Sequence, residues 1–74
     1  MARLPVVSGR ELVRALGELG YVLDRQKGSH MVLRRDVPPY RRLVVPDHKE
    51  IAKGTLRAIL RQAGIGADDL VRLL

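Results

Sequence analysis

A glycine between two strand-patterned runs, Gly28 in Gln26-Lys27-Gly28-Ser29-His30, forces the middle of the chain to double back and so restricts the folds open to it. Upstream, Tyr21-Val22-Leu23-Asp24-Arg25-Gln26 has the β-branched and aromatic character of a strand. Downstream, His30-Met31-Val32-Leu33-Arg34-Arg35 reads as its antiparallel partner across a Lys27-Gly28-Ser29 turn. Period two places His30, Val32 and Arg34 on one face, with Met31, Leu33 and Arg35 on the other. With Met31 and Leu33 in the core, His30 and Arg34 project together from the open face of the sheet.

Helical patterns flank this hairpin. Ser8-Gly9-Arg10-Glu11 is a capping box, and Leu12, Ala15, Leu16 and Leu19 recur at helical spacing before Gly20, which predicts a helix from Gly9 to Leu19. Arg10, Arg14 and Glu18 share one side of it, which reads as a solvated, ion-paired face. Asp36-Val37-Pro38-Pro39-Tyr40 is broken twice by proline and is a loop. Arg41-Arg42-Leu43-Val44-Val45 follows as a third strand, in which alternation alone leaves the buried face undecided. After a polar connection through His48, a second helix starts at Lys53-Gly54-Thr55. Its apolar stripe is Leu56, Ile59, Leu60 and Ala63, and Gly64 is its stop. A short third helix is expected over Asp68-Asp69-Leu70-Val71-Arg72-Leu73-Leu74, with its acids at the N-terminal end.

These elements predict an α+β fold, α-β-β-β-α with a short extra C-terminal helix, the helices on one face of a three-stranded antiparallel sheet. That order is the one found in double-stranded RNA-binding domains, although order does not by itself establish function. The 74 residues suffice for one domain, 1–74, and without cysteine it rests on packing alone.

Charge narrows the partners. Fourteen Lys and Arg against eight Asp and Glu give a formal +6, which favours a polyanionic or acidic partner. No apolar run approaches the roughly 20 residues needed to span a bilayer, and Met1–Pro5 lacks the apolar region of a signal peptide, so a soluble cytoplasmic chain is expected. Lys53, Arg57 and Arg61 form a row on the second helix with no carboxylate in it, and are candidates for phosphate or acidic-partner contact. The ordinary alternative is a solvated face. Two histidines eighteen apart, scattered acids and no cysteine do not make a metal cluster, and no cofactor is expected.

Several blocks in register are more specific than any one of them. Ser8-Gly9-Arg10-Glu11, Leu19-Gly20-Tyr21, Arg25-Gln26-Lys27-Gly28-Ser29-His30, Val45-Pro46 with His48-Lys49-Glu50, and the run Gly54 to Ile65 together resemble the HicA family of toxin-antitoxin mRNA interferases. The resemblance implies a double-stranded RNA-binding-like fold, ribosome-independent cleavage of mRNA, an adjacent HicB-like antitoxin protein as inhibitor, and His30 as the catalytic histidine. The double proline at 38–39 departs from the tighter turn more usual there.

The residues can support that chemistry. RNA can be cut without metal because its 2′-hydroxyl attacks the adjacent phosphorus, leaving the enzyme to move protons and stabilise charge. Histidine, with an unperturbed pKa of about 6.5, suits the first task and typically supplies about 10²–10⁴ in rate. His30 is the candidate general base or acid. Lys27, Arg34 and the Gly28 and Ser29 amides are candidates for holding the phosphate. With one proton-transfer residue the nuclease is expected to be slow, and His48 reads better as a loop residue that contacts backbone than as a second acid. A non-catalytic RNA-binding module of the same fold is the rival reading, and a pure protein-interaction domain the third. With only Tyr21 and Tyr40 as aromatics, the RNA-binding module has no stacking platform for single strands, and duplex shape recognition remains open to it.

Overall fold

The computed structural model describes residues 3–74. Its elements run α1 (Gly9–Gly17), β1 (Tyr21–Lys27), β2 (His30–Arg35), β3 (Arg42–Pro46), α2 (Lys53–Ala63) and α3 (Ala67–Leu73). The antiparallel sheet has the order β1-β2-β3. This is the expected α+β arrangement, and among the described residues no helix is long and apolar enough to cross a membrane.

One face of the sheet is covered. Met31 and Leu33 of β2, Leu43 and Val45 of β3, Leu12, Ala15 and Leu16 of α1, Leu56, Ile59 and Leu60 of α2 and Leu70 of α3 join in a single core. Burying each large aliphatic side chain is worth about 1.5–3 kcal/mol, which is how a cysteine-free chain of this size holds together. Tertiary packing also decides the face of β3 that alternation left open: Leu43 and Val45 go in, Arg42 and Val44 stay out.

Local chemistry sets the ends. The Ser8 hydroxyl accepts from the Glu11 amide at 3.0 Å, and the Ser8 amide donates to the Glu11 carboxylate at 2.9 Å. Those bonds hold the Glu11 pKa below the usual carboxylate range. Helix α1 stops at Gly17, two residues before the expected Leu19, because Leu19 and Gly20 donate to Leu16 and Gly17 and tighten the last turn to i→i−3 bonds. At the end of α2, Gly64 takes φ +75°, and the Ile65 amide bonds back to the Leu60 carbonyl at 3.1 Å. Arg41 donates to the Gln62 carbonyl at 2.8 Å, a cation on the negative end of the helix. Pro46, expected just beyond β3, is its last residue, which an edge strand tolerates because proline needs no donor there.

One irregularity orients the hairpin. Tyr21 is buried opposite Arg35, and Lys27 lies six residues further along, so strict alternation would send Lys27 to the core face too. A β-bulge between Leu23 and Arg25 inserts Asp24 and reverses the parity. Arg25 and Lys27 thereby join Val32 and His30 on the open face.

Candidate active site

Two residues, Gly28 and Ser29, turn the hairpin. Gly28 has φ +60° while Ser29 has no positive φ, and a Cβ on Gly28 would meet nothing within 4 Å. The glycine is therefore there for its dihedral angle, not for space. Lys27 and His30 close the turn as a cross-strand pair, and His30 faces Pro46 on its other side. The row Lys27–His30–Pro46 forms one end of the open face. Lys27, Gly28, Ser29 and His30 are all exposed, so a cation, two turn amides, a hydroxyl and an imidazole are offered to solvent side by side.

Further along the same face come the rows Arg25–Val32–Val44 and Val22–Arg34–Arg42. Arg34 shares the face with His30, as expected, but Val32 intervenes, and four residues of strand separate them by about 13 Å. Arg34 also bonds Asp36 at 3.0 Å and approaches Asp24 at 3.9 Å. Lys27, not Arg34, is the cation beside the imidazole. Arg25 and Arg42 make no ion pair among the described residues and extend the positive face beyond the predicted residues.

Distant residues anchor the turn. The Asp47 amide donates to the Ser29 carbonyl at 2.6 Å, and the Gln26 amide group donates both to the Gly28 carbonyl at 3.2 Å and to the Asp47 carboxylate at 3.0 Å. Arg10, at the start of α1, meets the same carboxylate at 3.2 and 3.4 Å. Arg10 thus pairs across the fold and not within its own helix. The hydrogen bonds from Arg10 and then Gln26 hold the Asp47 pKa below the ordinary carboxylate value. His48 lies in the loop as expected, but it contributes its backbone and not its side chain: its carbonyl accepts from the Gly9 amide at 2.9 Å and caps α1. Its imidazole is exposed and makes no hydrogen bond or ion pair among the described residues.

A lowered folded-state pKa makes Asp47 stabilising above its unfolded value, and that contribution disappears as pH falls through the folded value. Thermal unfolding followed downward from neutral pH should accordingly show a shallower acid loss in Asp47→Asn than in the wild type. Superimposable acid limbs would remove Asp47 from this role.

Gly9 sits where α1 meets the end of β3. A Cβ there would lie 2.0 Å from the Pro46 carbonyl oxygen, a backbone atom that cannot swing aside. Gly9→Ala should cost about 1–3 kcal/mol in thermal or denaturant unfolding. It should also lower any activity of the folded protein, because Pro46 is the strand partner of His30. A glycine at the first helical position, where many residues form helix better, is the sequence signal for this approach; Arg25 and Gln26 are marked only by their place in the block Arg25 to His30, and Asp47 carries no signal.

The predicted row Lys53, Arg57 and Arg61 is exposed on α2, which packs against the covered face of the sheet. The structure therefore separates it from the His30 face. Among the described residues no three His, Asp or Glu side chains gather as a metal site.

A family model described as the HicA toxin of bacterial toxin-antitoxin systems matches residues 9–65. That span includes α1, the whole sheet and α2. Among curated proteins none matches the chain.

Proposed function

Since the chain belongs to the HicA toxin family of bacterial toxin-antitoxin systems, we propose that it is an endoribonuclease that cuts mRNA with His30 as the proton-transfer group. An antitoxin partner follows from the family, and in this reading it is a HicB-like protein that restrains the nuclease. The observation that carries the proposal is the row Lys27–His30–Pro46, which sets an exposed imidazole beside a lysine and a two-residue turn.

In the reaction, the RNA 2′-oxygen forms a bond to the adjacent phosphorus as the bond from phosphorus to the 5′-oxygen of the next nucleotide breaks. The 2′-hydroxyl proton leaves, and the departing 5′-oxygen gains one. His30 serves one of these transfers as general base or general acid. Lys27 and the Gly28 and Ser29 amides face the non-bridging oxygens, where fixed donors are worth most as charge develops. Arg25, Arg34 and Arg42 hold flanking phosphates, and Arg34 does so by exchanging its carboxylate partners. Asp47 and Gln26 keep the turn in place. No metal enters the scheme.

The test is incubation of purified protein with a long single-stranded RNA in excess EDTA. Fragmentation is expected. An intact RNA that the protein nonetheless binds tightly, with salt-dependent affinity, would replace the nuclease with the non-catalytic RNA-binding module.

A further inference from the structure

The lead segment before α1, α2 and the start of α3 enclose an open groove of 820 Å³ away from the His30 face. Val6, 72% exposed, lines one side, with Leu60 and Ile65 beneath. Lys53, Arg57 and Arg61 form the other rim, each one turn from the next. Among the described residues no carboxylate lines the groove, and none of the three cations has an ion pair.

We infer that this groove docks an acidic, amphipathic segment of the antitoxin, an inference that rests on the toxin-antitoxin reading of the chain but not on nuclease activity. Charge complementarity and the apolar floor together select the occupant. RNA phosphates would match the rim but leave Val6 and Ile65 against ribose and solvent, and bases need aromatic platforms that the groove lacks. A helix or extended peptide carrying aliphatic side chains between carboxylates satisfies both halves, with apolar anchors at the centre and ion pairs at the rim. The location gives it a defined role. Seated on the covered side of the sheet, the segment holds the antitoxin in place and raises the effective concentration of whatever part of it shields the His30 face.

The test compares affinity of the purified toxin for its full-length cognate antitoxin in the wild type, Val6→Glu and the double variant Arg57→Glu, Arg61→Glu, alongside RNA cleavage by each free toxin. Val6 is exposed, and all three substitutions lie outside the core, so folding is checked simply by thermal unfolding. Both variants should bind the antitoxin on the order of 100-fold more weakly. Val6→Glu should cut RNA at the wild-type rate, and the double variant should lose part of the salt dependence of antitoxin binding. Unchanged antitoxin affinity in both variants overturns the inference. So does a double variant that loses RNA binding yet keeps the antitoxin, which would make the row an RNA surface. If even the wild type leaves RNA intact, weakened antitoxin binding still supports the docking site, and only the nuclease reading fails.

Discussion

Replacing His30 by alanine should slow RNA cleavage by about 10²–10⁴-fold, the usual yield of one positioned general acid or base, while RNA affinity and thermal unfolding stay close to wild type. That factor corresponds to about 2.7–5.5 kcal/mol of barrier. The separation of effects follows from position. His30 is exposed, and its imidazole makes no hydrogen bond or ion pair among the described residues, so the fold loses little when it is removed. In the proposed mechanism affinity for RNA comes from the neighbouring cations, Lys27 beside it and Arg25, Arg34 and Arg42 along the face. Single-turnover cleavage with saturating protein isolates the chemical step from binding. A variant that still cuts at the wild-type rate would exclude His30 from the reaction.

The largest stability effect should come from Leu33→Ala. Leu33 is fully buried at the middle of the central strand, opposite Leu43 on one side and Leu23 on the other. Truncating it removes apolar burial and leaves a cavity in the core, at a cost of about 2–5 kcal/mol. Domains of this class have roughly 5–15 kcal/mol in total, so the variant should melt far below the wild type. Leu23→Ala is the matched control. Although it faces Leu33 in register, Leu23 is half exposed beside the bulge, and its truncation should cost much less. Denaturant unfolding of both variants measures the contrast, and similar losses would show that the core is not centred on β2.

Much of this architecture is written locally and can be read from the chain. Ser8 and Glu11 announce α1, Gly64 ends α2, and Gly28 makes the turn, because each acts on backbone within a few residues of itself. Alternation likewise places Met31 and Leu33 inside and His30 outside. The β3 strand is less legible, since Leu43, Val44 and Val45 are all apolar and only packing against α2 and β2 decides among them. The bulge at Asp24 is recoverable only by setting buried Tyr21 against the turn six residues later. Asp47 is beyond sequence reasoning: it meets Gln26 and Arg10 at separations of 21 and 37 residues, and nothing in its neighbourhood marks it. The basic row on α2 is legible as a row, but its separation from His30 depends on which face of the sheet α2 covers, and its apolar floor on where the lead segment lies.

The positive charge also divides by role once the fold is known. Arg35 and Arg41 are committed to carbonyls of Leu19, Pro38 and Gln62, and Arg10 and Arg72 to carboxylates, so they hold the structure together. Two further groups fall on separated surfaces, Arg25, Lys27, Arg34 and Arg42 on one and Lys53, Arg57 and Arg61 on the other. One surrounds His30 and suits a phosphate backbone; the other borders the apolar groove and suits an acidic peptide.

The central claim concerns how a phosphodiester is broken, and the chemical form of the new ends decides it. RNA cut by the wild-type protein in EDTA should carry a 2′,3′-cyclic phosphate, or the 3′-phosphate derived from it, on the upstream fragment and a 5′-hydroxyl on the downstream one. Mass spectrometry of the fragments reads both. Ends bearing a 5′-phosphate and a 3′-hydroxyl would mean that water attacked the phosphorus in place of the 2′-oxygen, which contradicts the mechanism assigned to His30.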